Sequence, residues 1–143
     1  VEKCVCAVAA AVLILSGCAP GRAAAPGSGT LPPGTATLTA EGKRIGSTYS
    51  VRCESIDWMT QIHVDLHEAR VSAMLSRAEK LTAEFVRLHD IDGFTGSYER
   101  ARQGEASVTM TGPTYQITGA AVGFNNAQPT RPKAETFTLT VSC

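Results

Sequence analysis

The last nine residues, ETFTLTVSC, alternate without a break: Phe137, Leu139, Val141 and Cys143 fall on one side of an extended chain, and Thr136, Thr138, Thr140 and Ser142 on the other. Neighbouring side chains point to opposite faces only in a β-strand, so this period of two commits the C-terminus to a strand with one apolar face. Such a strand suits an antiparallel sheet that is packed on one side and wet on the other. Similar short stretches recur upstream as ATLTA with KRIG close behind, STYSVRCE, TQIHVDL, FTGSYER, EASVTMT and TYQITGAAVG, punctuated by Gly, Asp and Pro. Gly112-Pro113 in TMTGPTYQIT and Asp92-Gly93 in DIDGFTG read as hairpin turns, and GFNNAQPTRPK reads as an exposed loop restricted by Pro129 and Pro132. The expected fold is mainly β, an antiparallel β-sandwich or curved sheet of about 7–9 short strands.

One segment admits two readings. EARVSAMLSRAEKLTAEFVRLHD places Val71, Met74, Leu75, Ala78, Leu81, Phe85 and Leu88 at spacings of three and four among good helix formers, which allows a short helix near residues 69–82. RVSAMLS and AEFVRLHD can equally be strands joined by a turn near Ser76–Lys80.

The N-terminus carries a different instruction. Residues 1–17, VEKCVCAVAAAVLILSG, have a short polar start and an apolar run from Val5 to Leu15, the pattern of a secretory signal peptide. The run is too short to span a bilayer, which takes about 20 apolar residues. It ends on Leu15-Ser16-Gly17-Cys18, a match to the lipobox, in which the cysteine thiol receives a diacylglyceryl group. A diacylated or triacylated cysteine supplies the two or more chains that stable membrane residence requires. The competing expectation is A-x-A-type cleavage among Ala23–Ala25, giving an unanchored secreted protein. Residues 18–36, the lipidated cysteine and a Pro/Gly/Ala-rich stretch, read as a flexible linker, and residues 37–143 as a single β-rich domain. Hydroxyls such as Thr30, Thr35 and Thr37 read as solvated rather than modified.

The five cysteines divide accordingly. Cys4 and Cys6 leave with the leader, Cys18 carries lipid, and Cys53 and Cys143 remain in a compartment where disulfides persist. The two are expected to pair, with two free buried thiols as the alternative. Alternation puts Tyr49, Val51 and Cys53 on one face and Cys143 on the apolar face of its own strand, so both cysteines are expected among buried residues.

Thirteen basic residues against thirteen acidic ones give no net field, and no basic block is present, so nucleic acid is not an expected partner. His63, Asp65 and His67 in HVDLHEAR, with His89-Asp90 later, could hold a metal only if His63 and His67 lay on a helix, and Val64 stands where a zincin has Glu. Asp90, Asp92 and Gly93 resemble the start of a calcium loop but lack its later ligands. No Gly-x-Ser-x-Gly elbow, phosphate loop or dinucleotide fingerprint occurs, so neither a cofactor nor catalysis is expected.

The order of these stretches resembles the LpqH-like lipoprotein antigen family of mycobacteria: a lipobox cysteine, a Pro/Gly/Thr tether, STYSVRC, IDGFTGSY, GEASVTMTGPTYQITGAAVG and a terminal ETFTLTVSC. The resemblance covers about the whole mature chain. It implies a β-rich domain with Cys53 bridged to Cys143, a cell-envelope location, and activity as an antigen and immunomodulator through the acylated N-terminus, with Toll-like receptor 2 as a host partner. Two other functions compete with it: a carrier of lipids or other small hydrophobic molecules, which needs an apolar cavity, and an enzyme, which would depend on the scattered histidines and carboxylates.

Overall fold

A computed structural model describes residues 29–143. Ten strands make up the described chain: β1 Ala36–Ala40, β2 Lys43–Thr48, β3 Val51–Ile56, β4 Met59–Leu66, β5 Ala69–Ser76, β6 Thr82–Ile91, β7 Phe94–Glu99, β8 Glu105–Thr111, β9 Thr114–Asn125 and β10 Gln128–Ser142. All pairings are antiparallel, in the order β2-β1-β10-β9-β7-β6-β5-β4-β3, with β8 also on β9.

The two outermost strands of that order, β2 and β3, are consecutive in the chain and separated only by Tyr49 and Ser50. A two-residue connection cannot cross an open nine-strand sheet, so the sheet curls until its ends meet. β2 pairs with β1, the chain bends at Tyr49-Ser50, and β3 continues onward to pair with β4. Closure shows where β2 approaches β4: a Cβ at Gly46 would lie 3.4 Å from Leu66 Cδ2. The result is a nearly closed, barrel-like sheet in which β2, β3 and β8 each form a hydrogen-bonded ladder along one edge only.

Turn chemistry drives the hairpins. Glu41-Gly42 (φ 49° and 73°) and Asp92-Gly93 (φ 50° and 84°) both take positive φ at two consecutive residues, the conformation whose twist matches the flanking strands. Along β4, β5 and the second half of β10 burial alternates as the sequence does, and Phe94, Phe137, Leu38, Ile62, Leu75 and Ile117 are among the side chains sealed inside. Each contributes about 1.5–3 kcal/mol by leaving water.

The helix considered near 69–82 does not form: β5 and β6 occupy that segment, joined by residues 77–81. Val71, Ala73 and Leu75 face the core while Met74 turns outward, so period-two burial decides over helix propensity. GFNNAQPTRPK keeps its expected turn and exposure only in part: the turn is confined to Asn126-Ala127 and strands occupy the rest. β9 runs to Asn125 and β10 starts at Gln128, and a register shift between Gln128 and Pro132 accommodates the prolines.

Residues 31–35, assigned to the linker by composition, lie against the barrel. Leu31 N–H donates to Thr114 Oγ1 (3.1 Å), Gly34 N–H to the Ser142 carbonyl (2.9 Å), and Ser142 N–H to the Thr35 carbonyl (2.9 Å). The segment expected to be a signal peptide, Cys18 and the start of the expected linker lie outside the described residues.

Candidate functional site

Antiparallel order sorts the turns into two ends of the barrel. One end holds the start of β1, the C-terminus, and the β3–β4, β5–β6 and β8–β9 turns. Hydrogen bonds tie these together: Arg77 N–H to the Trp58 carbonyl (2.8 Å), Arg77 Nη2 to Tyr115 Oη (2.9 Å), and Cys143 N–H to the Pro113 carbonyl (3.2 Å). The Arg77 guanidinium also sits 5.9 Å from the centre of the Tyr115 ring.

Cys53 and Cys143 form a disulfide at this end, with Cα atoms 5.9 Å apart and a separation of 90 positions in sequence. Their environment differs from the expectation of a buried pair. Cys53 is half-buried, Cys143 is exposed, and Tyr49 is 89% exposed. The cause is the seam. β1 begins only at Ala36, so β3 runs on beyond it with one edge unpaired, and Cys143 lies one residue past the end of β10. The bridge joins these two rim positions where no ladder of hydrogen bonds connects them.

Elsewhere the chemistry is dispersed. His63 lies on β4 with Nδ1 3.2 Å from Ser72 Oγ, His67 occupies the β4–β5 turn at φ 56°, and His89 is on β6. A helical His63–His67 pair is therefore not formed, and no group of three His, Cys, Asp or Glu able to hold a metal occurs among the described residues. Ser72 and His63 lack the third member of a nucleophile triad, since no carboxylate is hydrogen-bonded to the other ring nitrogen among those residues. Asp92 binds Lys43 Nζ at 3.0 Å, and Asp90 accepts from Asn126.

Several clefts indent the surface, and two of them exceed 400 Å³. One, about 480 Å³, crosses the outer faces of β5, β6, β7 and β9, with Arg70, Arg87 and His89 on one side and Val122 and Phe124 on the other. Arg70 is already paired with Asp65 at 2.9 Å, and the Arg87 guanidinium stacks 4.6 Å from the Phe85 ring centre. The second, about 470 Å³, lies between the β1–β2 turn and β8 and includes Glu41, Glu105 and Phe137. Both open to solvent, whereas the barrel interior is occupied by core side chains.

Glu41 holds the second cleft's rim, since its carboxylate accepts both the backbone N–H and the hydroxyl of Thr136. These bonds, the backbone one foremost, keep its pKa below the ordinary carboxylate value. A depressed folded-state pKa means the contribution to stability is complete above the unfolded pKa and is lost as pH falls through the folded one. Glu41→Gln should therefore unfold at lower urea than the parent at neutral pH, and the difference should shrink once the pH drops well below 4.5. A gap that stays constant over that range would show that the ionised carboxylate contributes nothing.

Residues 29–143 match the family described as the Mycobacterium 19 kDa lipoprotein antigen. The chain belongs to this family. A putative lipoprotein of Mycobacterium avium subsp. hominissuis (strain TH135) is 33% identical over 140 residues, covering 97% of this chain and 92% of its own. Lipoprotein LpqH of Mycobacterium tuberculosis (strain ATCC 25618 / H37Rv) is 31% identical over 115 residues, 78% of this chain and 72% of that one. Probable lipoprotein LppE of the same strain is 25% identical over 115 residues, 80% and 81% of the two chains. The family match begins at Gly29, seven residues before β1, consistent with the docked stretch at Leu31–Thr35 being part of the domain.

Proposed function

We propose that this protein is a surface-exposed lipoprotein of the cell envelope, held outside the cytoplasm by acyl chains on Cys18, and that it acts as an antigen and immunomodulator through that acylated N-terminus. The observation that carries this reading is the lipobox cysteine at the end of an apolar leader, in a chain of the lipoprotein antigen family. The alignment with the Mycobacterium avium putative lipoprotein, over 97% of the chain, also takes in the Cys18 region. On this reading the barrel is a stable, disulfide-closed body carried by the anchor, with no catalytic role. Toll-like receptor 2 is the host partner proposed for the acylated terminus.

A carrier for lipids or other small hydrophobic molecules is the second reading, and the outer cleft bordered by Val122 and Phe124 is the place it would use. Mass spectrometry of the native protein after organic extraction separates the two. The anchor reading expects acyl mass on Cys18, and the carrier reading expects a non-covalent lipid that co-purifies. Cys18→Ala should move the protein from the membrane fraction to the medium, as read by fractionation and immunoblot. Unchanged membrane retention would overturn the anchor.

A further inference from the structure

Exposed large apolar side chains are unevenly placed on the barrel. Of the five among the described residues, three lie at the end that carries the disulfide: Ile56 (71% exposed) ends β3, Trp58 (58%) occupies the β3–β4 turn, and Met110 (42%) lies one pair from the β8–β9 turn; Tyr49 sits at the β2–β3 bend, and Phe124, the least exposed at 38%, borders the outer cleft toward the other end. The turns at the opposite end are polar: Glu41-Gly42, His67-Glu68, Asp92-Gly93 and Asn126-Ala127.

The chain from Cys18 arrives at this same apolar end. Leu31 bonds to Thr114 beside Tyr115, Tyr115 to Arg77, and Arg77 to Trp58, so a short run of hydrogen-bonded neighbours links the arriving segment to the exposed tryptophan. Leu31 is thirteen residues on from Cys18, a span of at most about 45 Å even if fully extended. Placing the opposite end on the membrane would require that span to run back along the barrel, whose ten-residue β6 alone is about 33 Å long. Placing the apolar end there needs no such extension.

We infer that this end of the barrel, led by Trp58 and Ile56, rests on the bilayer to which Cys18 is anchored, so that the domain is oriented by its own surface as well as tethered. Tryptophan suits the contact, because its apolar ring and polar N–H both find partners at the lipid–water boundary. The nearby charges balance, Arg77 and Lys80 against Asp57 and Glu79, so the surface calls for lipid in general and not for anionic headgroups. The polar turns at the other end then face outward.

This inference rests on the Cys18 anchor, and one experiment separates the two. Trp58 is the chain's single tryptophan, so its fluorescence reports this end alone. The acylated mature protein is reconstituted on phosphatidylcholine vesicles with plain or brominated acyl chains, and sedimentation is measured beside emission. Co-sedimentation with about twofold weaker emission on brominated lipid is expected. Ile56→Ser combined with Met110→Ser, both at exposed positions, should reduce that quenching while sedimentation persists. Co-sedimentation with equal emission on both lipids would overturn the orientation and leave the anchor standing. Failure of the acylated protein to sediment with vesicles would overturn the anchor, and the orientation with it.

Discussion

Replacing Cys53 and Cys143 together by alanine should lower the domain's stability by about 4–5 kcal/mol, the chain-entropy value for releasing a loop of this size. The bridge spans 90 residues of sequence and so restrains most of the unfolded domain. In the folded state it joins β3 to the end of β10 across the seam, where backbone pairing is absent. Urea unfolding of the double variant should show a lower midpoint and a steeper dependence on denaturant, because the unbridged chain exposes more surface when it unfolds. Reduction of the parent protein should reproduce the effect, aided by the exposure of Cys143. The double variant avoids the stranded thiol that either single substitution leaves. A loss under about 1 kcal/mol would mean that the bridge restrains the unfolded chain far less than its loop length implies.

How far the sequence foretold this arrangement depends on the range of the forces involved. Strand identity is local, so ETFTLTVSC announces Phe137, Leu139 and Val141 as core, and all three are buried. Turn signals at Asp92-Gly93 and Gly112-Pro113 also lie where the chain reverses. The segment around 69–82 was ambiguous because its leucines and alanines satisfy both periods. What decides there is pairing with β4 and across to β6, which no short window contains. Barrel closure was illegible for the same reason: Tyr49-Ser50 looks like any short connection until the positions of β1 and β4 are known. The burial expected for Cys143 failed because alternation specifies a face but not where the barrel's rim cuts it. For the candidate site the balance reverses. The lipobox is legible only as sequence, whereas the convergence of Leu31, Arg77 and Trp58 on one end depends wholly on the fold.

The second large effect should come from adding a single methyl group on β9. This strand pairs with β8 through Ala120 and with β7 from Val122, so two neighbours share one edge and crowd where they change over. Gly119 and Gly123 lie at that changeover. A Cβ at Gly123 would stand 2.0 Å from the Thr95 carbonyl oxygen and 2.4 Å from the Cα of Gly96, its partner in register. At Gly119 it would stand 2.1 Å from the Glu105 carbonyl oxygen and 2.8 Å from Ala106 Cα. These obstacles are backbone atoms, which cannot swing aside as a side chain can, so relief requires separating paired strands. Gly123→Ala and Gly119→Ala should each cost at least about 3 kcal/mol, measured as the shift in urea midpoint, although alanine is among the smallest changes available. Gly46→Ala supplies the contrast on β2, where the new Cβ meets only Leu66 Cδ2 at 3.4 Å. Its effect should stay within about 0.5 kcal/mol, because that contact is ordinary and fixing the backbone favours the folded chain. Equal tolerance at Gly46 and Gly123 would exclude the close β7–β9 pairing. A loss confined to Gly119 and Gly123 would instead place the tightest packing of the barrel where β9 exchanges one neighbour for the other.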